Sequence, residues 1–160
     1  MRNKEDLAKG ALAGMVGGLV GSLTMELFQA GLKKVSGSQG GGQSSTEKVA
    51  EGISESVRDQ PLEESEKRTG SELVHYAFGA SAGVVYGVAA AALPKASVGW
   101  GALFGSVLWL LADEIGVPAV GLAKGPDETP ASEQASNFAA HLVYGVTADL
   151  VRRGVLTVLG

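Results

Sequence analysis

The sequence has no cysteine and little charge, and both shortages narrow what the protein can be. Without cysteine the chain can form neither disulfides nor thiolate metal sites. Only 19% of its residues are charged, and the basic residues form no patch interleaved with aromatics, so nucleic acid is not an expected partner. A phosphate-binding loop, a zinc signature and a nucleophile motif are also missing. We therefore expect a protein that is not an enzyme and has no catalytic residues.

Hydrophobic residues are abundant instead, and they are collected in four long stretches. They make up 45% of the 160 residues. A helix that crosses a bilayer takes about 20 mostly apolar residues. We therefore predict an all-α polytopic membrane protein, a single domain over residues 1–160, with four transmembrane helices. The predicted spans cover about 9–32, 71–93, 98–115 and 135–153.

The first apolar stretch begins near a basic N-terminus, as a signal peptide would. Its apolar run continues through Met25 to Phe28 without a convincing small-residue cleavage site. We expect this segment to be retained as the first span.

The third stretch carries a break. Asp113 and Glu114 are adjacent there, and Gly116 and Pro118 follow, which both oppose continuation of a helix. We expect the helix to end near Ile115, with a broken extension to residue 123. Broken helices at membrane depth are tolerated only against protein or a water-filled cavity.

A polar insert, residues 33–70, separates the first two spans. It begins with a Gly- and Ser-rich segment that is typical of flexible linkers. Val49, Ile53 and Val57 then recur every four residues between charges, which predicts a short amphipathic helix ending before Pro61. We expect this helix to lie against the membrane surface or the rest of the bundle.

Glycine accounts for 24 residues and recurs every four residues within the apolar stretches. Small residues at this spacing let a second helix backbone approach closely, which drives helix packing in lipid. The glycines expected to pack helices in this way are Gly14, Gly18, Gly79, Gly83, Gly87, Gly101, Gly105 and Gly145.

An internal repeat relates the two halves of the chain. Residues 75–82 and 141–148 share the pattern His-x-x-aromatic-Gly, and residues 10–14 and 101–105 match at the start of spans one and three. The chain is therefore predicted to consist of two related helix hairpins, the first carrying the insert. A unit of two spans gives a parallel repeat, related by an axis along the membrane normal.

Basic residues near the span ends indicate the orientation. We expect both termini in the cytoplasm, because Lys9, Lys95, Arg152 and Arg153 would then lie on that side. Asp149 precedes the two arginines by three and four residues, a spacing that predicts a local ion pair at the membrane face.

Five ionisable residues should come to a similar depth on the side of the insert. The up-down order of the spans places three carboxylates near the ends of spans one and three, and both histidines near the starts of spans two and four. Ionisable residues in spans are costly and usually face the bundle interior. The candidate cluster consists of Glu26, His75, Asp113, Glu114 and His141.

Several roles are open to this cluster. Histidine titrates near physiological pH, so the group could respond to protons or take part in proton or small-solute movement. The histidines and carboxylates could also bind a metal, as facing helices of bundles do, or the two histidines could ligate a haem. The plain alternative is that each histidine hydrogen-bonds a neighbouring carboxylate or carbonyl. We predict no cofactor.

The expected partner is the lipid bilayer. An alternative function is that of a structural subunit, whose glycine-lined helices dock against another membrane protein or a second copy of the chain.

Three segments together resemble a known family. They are residues 74–95, Asp113-Glu-Ile-Gly-Val-Pro-Ala-Val-Gly-Leu122, and residues 140–153, which end in Arg152-Arg153. This combination is similar to the YagU-like family of small bacterial inner-membrane proteins, which carry a domain of unknown function. The likeness covers most of the chain from Ser71 onward, and the insert departs from it. The resemblance implies an inner-membrane location and a link to acid resistance, and it supplies no catalytic residues.

Overall fold

The computed structural model of the chain describes residues 3–37, 45–58, 63–121 and 126–160. Within these ranges all regular structure is helical, without strands. A π-helical turn, Leu110–Gly116, joins α4 to α5, and 3₁₀ turns occur at Pro94–Ser97 and Pro126–Glu128. The α-helices are α1 (Lys4–Ser36), α2 (Ser45–Arg58), α3 (Glu64–Ala92), α4 (Ala102–Trp109), α5 (Val117–Ala119) and α6 (Ala131–Leu159).

Three helical segments of the described chain are long and apolar enough to cross a membrane: Lys4–Ser36, Ser65–Ala92 and Ala102–Ala119. The sequence predicted four, and α6, the predicted fourth, does not meet this measure. The α6 helix is long enough, but its first turns are polar and its second half carries Asp149 and two arginines. These residues lower its hydropathy because their charges and hydrogen-bonding groups prefer water.

The helices extend beyond the predicted spans. In particular, α3 begins at Glu64, not near residue 71, so the end of the polar insert is already helical. The Glu63 backbone N–H donates to the Glu66 carboxylate at 3.2 Å, which satisfies one of the donors at this helix start. An ion pair of 3.5 Å between Lys67 and Glu51 joins these extra turns to α2.

The α2 helix is amphipathic, as predicted, but its valine and isoleucine stripe is only partly turned to the protein, since Val49 is partly buried and Ile53 is not. Ala50 and Ser54 are buried where α2 packs on α3, whereas Ile53 is 54% exposed. The side chain of Val57 lies outside the described residues. The exposed part of the stripe therefore remains available to a membrane surface.

The third apolar segment does not end at Ile115. It continues as the π-helical turn, in which the Val117 N–H donates to the Ala112 carbonyl, five residues back. Pro118 has no N–H to donate to the preceding turn, and the wider turn accommodates this loss. A methyl group on Gly116 would lie 2.8 Å from the Leu111 carbonyl oxygen, so this turn requires glycine there. The predicted extension to residue 123 is described as far as Gly121.

The α1 helix packs against α3 through backbone on both sides. A methyl group added at Gly14 would overlap the carbonyl of Gly83, and one added at Gly18 would overlap the carbonyl of Gly79. Gly10 stands in the same relation to Gly87. The two helices are therefore as close as glycine permits over three successive turns.

A second row of glycines on α1, directly beside the first, packs against α6, which also contacts α4. Gly17 meets the backbone of Ala148, and Gly21 meets the ring of Tyr144. On a neighbouring face of α6, Gly105 of α4 meets the His141 carbonyl. Side chains at the centre of this assembly are Met25, Ala140, Tyr144 and Ala148, with Phe28, Phe104 and Leu108 packed around them.

The helix contacts align the two hairpins differently from the internal repeat in the sequence. Gly79 meets the Gly18 carbonyl and Ser22, and Gly145, its counterpart in the repeat, meets the Gly101 carbonyl and Gly105. By contact, Gly101 therefore corresponds to Gly18. The sequence match with Gly10 lies two helical turns away from that position.

Large apolar side chains point outward along the helices. The segment Ala102–Ala119 is the most exposed of the three apolar segments, because only 6% of it is buried within the protein. Leu19, Leu23, Phe78 and Val85 are likewise exposed on α1 and α3. Such a surface suits a lipid environment, where apolar side chains have no water to avoid.

Candidate functional site

His141 lies inside the bundle on α6 and is 5% exposed. Its Nδ1 atom is 2.9 Å from the Asn137 carbonyl oxygen, one turn earlier on the same helix. A carbonyl oxygen only accepts, so Nδ1 carries a hydrogen in this contact. The same nitrogen lies 3.7 Å from Oδ2 of Asp113, close enough for an ion pair when the ring is charged.

Asp113 reaches this position from the π-helical turn. Its side chain is about one-third exposed, and its carboxylate faces His141 of α6, while the charge of His75 in the first hairpin acts on it from farther away. π-Helical turns are frequent at functional sites, because the extra residue re-aims a side chain within a helix.

Glu26 and His75 lie together in the first hairpin, but they are not paired with each other. The Tyr76 hydroxyl donates a 2.8 Å hydrogen bond to Oε2 of Glu26. The Nε2 atom of His75 lies 3.4 Å from the Ser22 carbonyl oxygen, and its ring makes an edge contact with Tyr76. The two hairpins thus satisfy their carboxylates differently, with tyrosine in one and histidine in the other.

Glu114 stands apart from the other four candidates. It is partly buried, and within the described ranges it makes no hydrogen bond or ion pair. The structure brings Asp113 to His141, and His75 to the same cavity as Glu26. It does not bring Glu114 to them.

A cavity of about 180 Å³ opens between α1, α2 and the start of the apolar part of α3. Sequence reasoning found only two of its six residues. Two of the other four could have been found from helical spacing. Residues three apart share a helix face, so Gln29 lies on the face of Glu26, and Glu72 on the face of His75. The cavity is lined by Glu26, Gln29, Thr46, Ser71, Glu72 and His75.

A buried ionic cluster occupies the other end of α6. Asp149 is fully buried and accepts hydrogen bonds from Arg152 at 2.6 Å and from Arg153 at 2.7 Å. This confirms the predicted ion pair. Arg152 also lies over the ring of Tyr86, and Arg153 over the ring of Trp100. With both carboxylate oxygens occupied, the cluster holds helices together and leaves little room for a ligand.

Metal binding would need several donors at one point. Among the residues that the structure describes, no three His, Asp or Glu side chains are grouped so that they could hold an ion. The metal hypothesis therefore finds no complete donor set in those ranges.

Comparison with known proteins gives a family but no activity. No curated protein and no solved structure matches the chain. A family model described as "Protein of unknown function (DUF1440)" matches residues 47–150, which include both histidines and Asp113 but not Glu26. The match is compatible with the YagU-like resemblance without confirming that name. Because it covers more than half of the sequence, the chain belongs to the DUF1440 family, whose function is unknown.

Proposed function

We propose that this chain is a non-enzymatic, multi-pass protein of the bacterial inner membrane that responds to protons through His141 and Asp113. The observation that carries the proposal is the 3.7 Å approach of a buried imidazole to a carboxylate on another helix. An unpaired buried charge is costly, whereas a paired one is tolerated. Protonation of His141 therefore changes the interaction between α6 and the segment Ala102–Ala119 from a weak polar contact to an ion pair.

His75 extends this response to the first hairpin. Its charge acts on the same Asp113 carboxylate, so the protonation of either histidine alters the environment of the other. The charge state of the bundle would then change over the pH range in which histidine titrates. Such a group can sense acid, and it can also pass protons or small solutes if water reaches both of its sides.

The topology we propose has four crossings, with α6 as the fourth. The charged residues that lower its hydropathy are paired, and Asp149 and Arg152 are buried against other helices, not exposed to lipid. Interior-facing ion pairs are the form in which charges persist in spans. With both termini in the cytoplasm, the histidines lie toward the periplasm, where an acid-responsive group would meet external pH.

The alternative function, a subunit that docks through glycine-lined helices, is less well supported. The glycine faces of α1, α3 and α6 are already in contact with helices of the same chain. A partner would have to bind elsewhere, on faces that also suit lipid. This is why we favour the proton response.

The test uses tryptophan fluorescence. Trp109 lies one turn before Asp113, and its ring makes an edge contact with Phe138, one turn before His141. Its buried indole N–H has no hydrogen-bond partner within the described structure, so its emission should respond to local change. In a Trp100→Phe background, Trp109 is the single tryptophan. We expect its emission to titrate between about pH 5 and 8.

The decisive variant is His141→Gln in that background. Loss of the titration supports the proposal, and an unchanged titration contradicts it. Glu114→Gln serves as the matched control, because it removes a neighbouring carboxylate that does not touch the pair. Purified protein in vesicles that contain a pH-sensitive dye then distinguishes proton movement from proton sensing.

A further inference from the structure

The polar cavity beside α2 has no role in the contact between His141 and Asp113. We propose that it is a binding site for a small organic ammonium ion. Three elements form it: the end of the apolar part of α1 provides Glu26 and Gln29, α2 provides Thr46, and α3 provides Ser71, Glu72 and His75. The proposal shares His75 with the proton response but does not rest on it, because that response centres on His141 and Asp113.

The chemistry of the lining favours a cation that donates hydrogen bonds. The two glutamates are acceptors, and the hydroxyls, the amide oxygen and a neutral imidazole can all accept as well. Among the residues that the structure describes, no lysine or arginine lines the cavity. Arg68 pairs with Glu72 at 3.0 Å, from a position that is 86% exposed. Glu26 accepts its hydrogen bond from the Tyr76 hydroxyl, which is a neutral donor.

An ammonium ion fits this lining better than a metal ion or an anion does. The acceptors are spread around the wall, whereas a metal needs several donors at one point, and the described residues offer no such group. A primary ammonium has three donors on a compact head, and separate acceptors can satisfy them. Two carboxylates exclude an anion by repulsion.

The size of the cavity limits the ligand. Its volume of about 180 Å³ is below the roughly 300–1,000 Å³ of clefts that hold drug-sized molecules. A short alkyl chain with one or two amino groups is of the right scale. The α2 helix forms one wall, where the hydroxyls of Thr46 and Ser71 lie 2.5 Å apart. Entry of a ligand therefore involves the insert, which distinguishes this hairpin from the second one.

The experiment measures binding of n-butylammonium and 1,4-diaminobutane to the full chain in mild detergent by ligand-observed NMR. We expect saturable binding of both and none of 1-butanol, the neutral analogue. Glu26→Gln should weaken binding about tenfold, because it removes a charged hydrogen-bond acceptor. Glu72→Gln should weaken it about threefold, since its partly exposed carboxylate already pairs with Arg68. Glu133→Gln, the same charge change at an exposed site on α6, should leave binding unchanged.

Three outcomes would overturn the assignment. They are no saturable binding of either amine, equal binding to wild type and the Glu26→Gln/Glu72→Gln double variant, and saturable binding of Mg²⁺ or Zn²⁺ that displaces the amines. Helicity and thermal unfolding of each variant verify that it is folded. His141→Gln separates the two proposals, because we expect it to abolish the tryptophan titration while amine binding is retained.

Discussion

The hydroxyl of Tyr144 donates a 2.6 Å hydrogen bond to the carbonyl oxygen of Gly79, and so ties α6 to α3 across the centre of the bundle. Tyr144 is 2% exposed. The absence of a side chain on Gly79 lets α1 come equally close, because a methyl group there would overlap the Ser22 hydroxyl. Three helices meet here, because the Tyr144 ring also packs on Gly21 of α1.

The first prediction concerns this bond. Tyr144→Phe should lower the free energy of unfolding by about 0.5–1.5 kcal/mol, the net worth of a typical buried hydrogen bond. The ring packing is kept, and the Gly79 carbonyl can still accept a bond within its own helix. Detergent-induced unfolding followed by circular dichroism measures the change. Unchanged stability would mean that the bond contributes nothing.

The second prediction compares two glycines of α1. Gly14→Ala should destabilise the protein by about 1–3 kcal/mol, because the added methyl overlaps the Gly83 backbone and forces α1 away from α3. Gly31→Ala is the matched control, since nothing lies within 4 Å of the methyl it adds. That control should be neutral or stabilising by up to about 1 kcal/mol, through helix propensity. Equal effects of the two substitutions on thermal unfolding would contradict the close approach.

The third prediction concerns the buried ionic cluster. Asp149→Asn leaves the buried Arg152 without its carboxylate and should cost about 3–5 kcal/mol of stability. Glu5→Gln breaks the exposed i, i+4 pair with Lys9 and should cost less than about 0.5 kcal/mol. Unfolding free energies of both variants test this contrast. A small effect of Asp149→Asn would indicate that water reaches the arginine.

The fourth prediction concerns the π-helical turn. The methyl group in Gly116→Ala would press on the Leu111 carbonyl at 2.8 Å, a backbone atom that cannot rotate away. We expect the turn to rearrange and Asp113 to move from His141. In the Trp100→Phe background, the Trp109 titration should then shift or disappear. Gly154→Ala, where the added methyl meets nothing, should titrate like its parent.

The fifth prediction tests the four crossings. Because the chain has no cysteine, single cysteines can be introduced at exposed sites and labelled with an impermeant maleimide. Glu63→Cys and Glu128→Cys should react from one side of the membrane. Lys95→Cys and Val158→Cys should react from the other. If the 128 and 158 positions react from the same side, α6 does not span and the topology is wrong.

The sequence predicted correctly those features that depend on residues within a single helix. The apolar stretches predicted the helical class, and the i, i+3 and i+4 spacing of Asp149, Arg152 and Arg153 predicted their ion pair. Both are local properties. A spacing of four also places the glycines of α1 in two neighbouring rows, one of them Gly17 and Gly21, but it does not say which helix each row meets.

The features that the sequence did not predict depend on contacts between helices, which local patterns of residues do not reveal. Gly116 and Pro118 indicated the end of a helix, yet the chain continues as a wider turn, which keeps backbone groups paired past Pro118. The apolar stripe of α2 was read without knowing which face α3 would cover. The Tyr76–Glu26 bond joins residues 50 positions apart, so no spacing rule could reveal it.

The two neighbouring glycine rows of α1 have a consequence for the order in which the helices can assemble. The α1 helix contacts both α3 and α6, and α6 follows α3 in the chain, so it is synthesised later. The row that meets α3 can pair as soon as that helix is made, whereas Gly17 and Gly21 stay uncovered until α6 follows. Biogenesis therefore passes through a half-assembled intermediate, and a chain that stops before α6 would present that uncovered row to any chaperone or protease it meets.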